Sequence, residues 1–335
     1  MLSNDKSISK ELLWDRDRLL MNLSESWQTL SDSARLDFFA LYGAYARFYK
    51  IDFASSSKVA TQSIRFVKSA RFNMVVQRFV PPEPKACALI CHGYFDHAGL
   101  YGSLIEALLD KGVEVIVFDL PGHGLSSGDR AAISCFSDYQ HAFNDVVLEI
   151  CKEFSHWGEG FSLIGQSTGA AIIADSLLQK EHKFLNEVKL KHAVLLAPLL
   201  RPKAWSKAEL MHSLIKNYKK YWPRSFRANT HSTSFSEFIK QHDPMQCTSL
   251  SVDWIGALRK WLPEILSRPA SFIPISIVQG TDDETVDWEF NLQNYRRLFP
   301  NARVTLIEDA KHQLANESEP YQAKVFAAVF AALGL

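Results

Sequence analysis

Three residue types that together perform nucleophilic hydrolysis stand directly behind apolar runs of this 335-residue chain. Ser167 lies in Gly165-Gln166-Ser167-Thr168-Gly169 after the run FSLIG, Asp283 in Gly280-Thr281-Asp282-Asp283 after ISIVQ, and His312 in Asp309-Ala310-Lys311-His312 after VTLI and Glu308. A serine hydroxyl becomes an effective nucleophile when a base removes its proton, and neutral imidazole suits that task near pH 7. A carboxylate on the other ring nitrogen selects the tautomer and stabilises the imidazolium that forms. The pentapeptide alone arises by chance and would fit an ordinary turn. The order Ser, Asp, His behind three separate runs is far more specific. Asp282 and Asp287 are close enough to compete for the acid position, and Asp283 is preferred for its place at a strand end.

Gly165 and Gly169 allow a sharp strand-to-helix turn, since a Cβ there would collide with neighbouring backbone. Such a turn presents Ser167 and aims the backbone N–H of Thr168 at a reacting carbonyl. A second donor is needed, and the loop His92-Gly93-Tyr94-Phe95-Asp96-His97 behind ALIC can supply it from Tyr94. His92 and Gln166 are read as approaching the substrate. His92 and His97 also invite a metal reading, but their spacing lacks a companion carboxylate or cysteine set, so hydrogen bonding that shapes the loop is preferred. His123, in a glycine-bounded turn, is read as structural.

The elements that must position these residues follow from the apolar pattern. The runs at 88–91, 113–119, 161–165, 193–197, 275–279 and 304–308 are separated mostly by stretches of helical length, which predicts an α/β fold with a mostly parallel central sheet flanked by helices. In such a sheet ligands bind beyond the carboxyl ends of the strands, where the reactive residues fall. The alternation breaks between about 201 and 270. Two helical patterns there, Leu210-Met211-Leu214-Ile215-Tyr218-Tyr221-Trp222 and Trp254-Leu258-Trp261-Leu262-Ile265, read as an insertion whose aromatic stripes form its own packing face or line an acyl-chain tunnel. Lys216, Lys219 and Lys220 read as a solvated face, with contact to anionic lipid as the alternative. Leu12, Leu13, Leu19, Leu20, Leu23 and Trp27, then a stretch capped by Ser31-Asp32-Ser33 carrying Phe38 to Phe48, predict N-terminal helices packed on the main domain. The expected map is an extension at 1–55, a core at 56–200 and 271–335, and a helical cap at 201–270.

Lys plus Arg equals Asp plus Glu, 37 each, so nothing points to a nucleic-acid groove. Five scattered cysteines without a C-x-x-C pair read as buried thiols in a reducing compartment. With no secretory pattern at the start and no apolar run of spanning length, a soluble, cytoplasmic protein is expected.

Several motifs in register resemble the α/β-hydrolase superfamily, and within it the monoacylglycerol lipase and lysophospholipase group of serine aminopeptidase S33-like hydrolases. They are His92-Gly93-Tyr94 with Asp96-His97 and Tyr101, PGHGLSSGDR at 121–130 followed by Phe136, Asp138 and Tyr139, APLL at 197–200, His242-Asp243-Pro244, Gly280 with Asp283, and Lys311-His312. The resemblance spans about residues 60–332. It implies a triad of Ser167, Asp283 and His312, with oxyanion donors at Tyr94 and Thr168. The implied reaction is ester hydrolysis through an acyl-enzyme on a monoacylglycerol or lysophospholipid, with no cofactor and no metal. A short-chain carboxylesterase or thioesterase, or a non-catalytic binding protein on the same fold, are the alternatives. The implied partners are a small acyl ester or lipid, no nucleic acid, and a membrane surface touched through the cap. The chain departs from the group at Gln166, where a His is usual, and at Thr168-Gly169-Ala170, where Met-Gly-Gly is usual. Those positions bear on substrate preference.

Overall fold

The computed structural model describes residues 15–24, 32–69, 71–179 and 188–335. Its centre is an eight-stranded sheet in the order β1-β2-β4-β3-β5-β6-β9-β10. The strands are β1 (Thr61–Lys68), β2 (Asn73–Val80), β3 (Ala86–Cys91), β4 (Val113–Phe118), β5 (Phe161–Gln166), β6 (Leu190–Leu196), β9 (Ile275–Gly280) and β10 (Arg303–Ile307). β1 and β2 pair antiparallel, as do β2 and β4, and every other pairing is parallel. All six expected strands are present. The β1–β2 hairpin was not anticipated, because the half-exposed edge sequence TQSIRFVK lacks the unbroken apolar run of a central strand.

Side chains alternate across the sheet, so each central strand feeds two cores. One face carries Leu89, Cys91, Ile116, Phe118, Leu163 and Leu195 against α4 (Phe136–Glu153), α5 (Thr168–Leu177) and α8 (Trp288–Leu298). The opposite face carries Ala88, Ile90, Val115, Val117, Ile164 and Val194 against α2 (Asp32–Phe48), α3 (Gly102–Leu109) and α9 (Glu319–Leu333). Glu114 is the buried charge on β4. It accepts hydrogen bonds from Arg78 and Trp157 and pairs with His156, which accounts for its burial.

The N-terminal helices α1 (Arg16–Ser24) and α2 bear on the main domain as expected. Leu41, Tyr42, Tyr45 and Tyr49 are buried in the second core, and Tyr42 and Tyr45 hydrogen-bond to Gln77 of β2. Leu12, Leu13, Trp27 and Ser31 lie outside the described residues.

Between β6 and β9 the chain forms α6 (Trp205–Ile215), a small ribbon of β7 (Tyr221–Pro223) and β8 (Ser249–Ser251), and α7 (Val252–Leu266). The second apolar pattern behaves as expected: Trp254, Leu258, Trp261 and Ile265 are buried. The first does not. The helix stops at Ile215, Tyr221 and Trp222 enter a strand, and Leu210, Leu214 and Tyr218 are 62%, 62% and 85% exposed. The reason is that α6 meets α7 through a different edge. There Arg259 donates to the His212 ring and to Ser213, and His212 closes on Gly256. The cysteines also differ from expectation: Cys87 and Cys91 are buried, Cys151 and Cys247 are partly so, and Cys135 is exposed. All five are free thiols.

Candidate active site

β5 delivers Gln166 and Ser167 to the carboxyl edge of the sheet, and α5 begins at once with Thr168. Ser167 sits at φ 54° and ψ −110°, a region that costs a non-glycine residue of order 1–3 kcal/mol. The surroundings enforce that turn. A Cβ on Gly165 would lie 2.6 Å from the Ala170 nitrogen, and one on Gly169 would lie 2.1 Å from the Cys91 carbonyl oxygen. Only glycine lets β5, the elbow and β3 approach this closely.

The His312 ring bridges the other two residues. Its Nε2 is 2.9 Å from Ser167 Oγ, and its Nδ1 is 2.7 Å from Asp283 Oδ2. Asp283 is buried and fully engaged: Oδ2 also accepts from Gln279 Nε2, while Oδ1 accepts from the N–H groups of Thr285 and Val286. Burial works against its charge, but His312 and those two N–H groups outweigh burial and hold the carboxyl below the usual range. Its competitors are occupied elsewhere, Asp282 with Lys311 and Asp287 with Arg201.

Tyr94 lies across from the elbow. Its hydroxyl donates to the Ala131 carbonyl and accepts from Ser251 N–H, and its ring stacks on Trp254 of α7 with centroids 4.0 Å apart. The loop behind β3 is thereby pinned to the insertion. The N–H groups of Tyr94 and Thr168 have no protein acceptor among the described residues.

The two residues read as approaching the substrate are placed differently. His92 is wholly buried; its Nε2 accepts from Leu120 N–H and its Nδ1 faces the Gly93 carbonyl, so no ring atom remains for a ligand. Burial drives its pKa well below normal, which keeps it neutral and makes it a brace for the loop. Gln166 turns its amide to donate to the His312 carbonyl at 2.9 Å, so its NH2 braces the His312 backbone. His123 has Nδ1 against the Pro121 carbonyl, as a structural residue would. His97 pairs with Asp243 of the insertion at 3.1 Å, and Tyr49 of the extension donates to the same carboxylate at 2.8 Å. Among the described residues neither His92 nor His97 belongs to a group of three side chains that could hold a metal ion. Among the described residues the one such cluster is Cys87, Glu114 and His156, where Glu114 already holds Arg78 and Trp157.

Sequence reasoning missed two supporting residues, Gln279 and Gln313. Gln279 is the penultimate residue of β9, a buried polar break after Ile277 and Val278 that could have flagged it. Gln313, beside His312, donates to Asp96, which in turn accepts from Tyr101; Tyr101 receives Gly93 N–H. Nothing in the local sequence marks that chain of contacts.

A family model described as serine aminopeptidase, S33 matches residues 82–319, well over half of the chain. The chain belongs to the serine aminopeptidase S33 family. Within that family's reach, it is 27% identical over 259 residues to a monoglyceride lipase homolog of monkeypox virus, covering 72% of this chain and 87% of the relative. It is 24% identical over 240 residues to phospholipase YtpA of Bacillus subtilis, covering 70% and 91%. Among solved structures, a soluble variant of monoglyceride lipase from Saccharomyces cerevisiae in complex with a substrate analog superimposes with a TM-score of 0.69 at 18% identity. That match covers 81% of this chain and 95% of the other. The fold of this S33 member is the α/β-hydrolase fold, with a mostly parallel sheet flanked by helices.

Proposed function

We propose that this protein is a serine hydrolase that cleaves carboxylic esters of the monoacylglycerol or lysophospholipid type through an acyl-enzyme. The observation that carries the reading is the unbroken relay from Asp283 through His312 to Ser167, with Ser167 held in a strained elbow. Ser167 attacks the ester carbonyl while His312 Nε2 takes its proton. His312 then returns the proton to the leaving alcohol, and water repeats the sequence to free the acid. Asp283 fixes Nδ1–H and stabilises the imidazolium. The open N–H groups of Thr168 and Tyr94 receive the oxyanion, an arrangement in which each donor is worth about 3 kcal/mol in the transition state. Every atom the cycle needs comes from these side chains, the ester and water. The names of the relatives support a single-chain lipid ester as substrate.

Residues 201–270 act as a cap in this reading, since Trp254 and Ser251 clamp Tyr94 beside the nucleophile. The exposed Leu210, Leu214 and Tyr218, beside Lys216 and Lys219, favour contact of that cap with a membrane surface. Among the described residues no helix is long and apolar enough to cross a membrane.

A fluorophosphonate probe should label the intact protein and not Ser167→Ala, and hydrolysis across acetyl to palmitoyl esters should rise with chain length. Absence of labelling would overturn the catalytic reading, and a sharp preference for acetyl esters would overturn the lipid one.

A further inference from the structure

Arg224 sits where the cap meets the oxyanion loop. Its guanidinium lies between two rings, 3.9 Å from the centroid of Phe95 and 4.4 Å from that of Phe226. Phe95 directly follows Tyr94, holds φ 71°, and packs its ring on the Tyr94 ring at 4.1 Å. The Arg224 head is thus fixed against the same loop that presents the Tyr94 N–H beside Ser167.

A guanidinium has five N–H donors, and Arg224 uses two. Nη1 donates to Gln246 Oε1 and to the Cys247 carbonyl. The Nε–H and both Nη2–H groups have no acceptor among the described residues, and neither nitrogen is sealed from solvent. Those atoms form the flat edge of the fork that matches a carboxylate or phosphate in two parallel hydrogen bonds. The two carboxylates whose charge reaches Arg224 are held by other groups. Asp96 accepts from Gln313 and Tyr101, and Asp243 is paired with His97 and Tyr49. A half-buried cation costs solvation free energy unless an anion meets it. Here the protein immobilises the cation, leaves its bidentate edge open, and supplies no carboxylate.

We propose that the open Nε/Nη2 edge of Arg224 binds the phosphate of the substrate headgroup, making single-chain esters that carry a phosphate the preferred substrates. This rests on the ester-hydrolase reading and narrows it. In such an ester the phosphate stands one glycerol unit from the scissile carbonyl, and Arg224 stacks on Phe95, the residue that follows the Tyr94 donor in the chain. A neutral monoacylglycerol offers nothing to that edge.

The test uses the full chain and two substrates with the same short acyl group, 1-octanoyl lysophosphatidic acid and 1-octanoyl glycerol, kept below aggregation. The quantity read is the ratio of kcat/KM for the phosphate ester to that for the neutral ester. Wild type should favour the phosphate ester. Arg224→Met should lower the ratio about 30-fold, or ~2 kcal/mol at 1.4 kcal/mol per tenfold, and Arg224→Lys, a cation without the fork, should restore part of it. On wild type alone, raising salt from about 20 mM to about 300 mM should lower the ratio several-fold, because screening weakens a partly exposed ion contact. A ratio that moves less than about 3-fold in Arg224→Met, or a wild type that favours the neutral ester, overturns the assignment while the ester-hydrolase reading stands. Hydrolysis of neither substrate, with no fluorophosphonate labelling, overturns both.

Discussion

Replacing Asp283 by Asn tests the proposed relay at its most constrained point. In the native site Oδ1 accepts from two backbone N–H groups, those of Thr285 and Val286, while Oδ2 accepts from His312 and Gln279. An Asn amide has one acceptor oxygen and one donor NH2. If the oxygen keeps the two backbone donors, the NH2 faces His312 Nδ1, which must then carry a lone pair, and Gln279 Nε2 loses this acceptor while keeping the Gly280 carbonyl. The ring proton moves to Nε2, where it points at Ser167 and cannot accept the serine proton. If the amide flips, the NH2 opposes two N–H groups and leaves both unsatisfied in a buried place, at about 1–3 kcal/mol each. The first arrangement therefore prevails and inactivates the base with little effect on the fold. The expected loss in kcat is about 10⁴-fold, ~5 kcal/mol at 1.36 kcal/mol per tenfold. Initial rates on a p-nitrophenyl ester, together with the rate of fluorophosphonate labelling, measure it. Asp282→Asn is the control: it loses only the part-buried ion pair with Lys311, away from His312, and should stay within about 3-fold of wild type. A loss below about 10-fold in Asp283→Asn, or a larger one in Asp282→Asn, would refute the assignment of the acid.

Other perturbations address the scaffold. Gly169→Ala drives a Cβ to 2.1 Å from the Cys91 carbonyl oxygen, so β3 or the elbow must shift. We expect a loss of about 3 kcal/mol in urea unfolding and a collapse of activity; a variant as stable and active as wild type would show that the elbow tolerates bulk. Tyr49→Phe removes the hydroxyl that donates to the Asp243 carboxylate, and denaturant unfolding should show a loss of about 1.5–3 kcal/mol, as for a hydrogen bond to a charged group. Burial lowers the pKa of His123 to about 4, so the folded state keeps it neutral while the unfolded chain binds a proton below about pH 6.5. Its contribution is complete above about pH 6.5 and declines as the pH falls toward 4, by ~3 kcal/mol over that span. His97, raised by Asp243 against the opposing effect of burial, contributes with the opposite sign, so the comparison is made within one pair of proteins. His123→Gln should flatten the fall of the melting temperature with acid by about one proton's worth of slope, and an unchanged slope would contradict the burial argument.

Most of the hydrolytic core is legible because its signals are local. Strands such as ACALIC and ISIVQG announce themselves by continuous apolar character, and Gly165 and Gly169 announce the elbow by what a Cβ would strike. His92 was misread because its position behind a strand is the same for a ligand-facing residue and for a brace. Only the Leu120 N–H and the Gly93 carbonyl distinguish them. The stripe on α6 was misread because periodicity reveals an apolar face but not whether a partner covers it. In this fold the partner helix engages His212 and Ser213 instead.

By itself the chain's order of residues determined the six parallel-paired strands, the turn at Ser167 and the candidate positions of Ser167 and His312, because each signal depends on neighbours within a few residues. The tertiary structure decided which of three aspartates meets His312, what Gln166 supports, and where Arg224 turns its open edge. Those contacts join groups far apart in the chain, such as Ser167 and His312 at 145 residues. Their energies depend on distance and burial in space, which no short stretch of sequence contains.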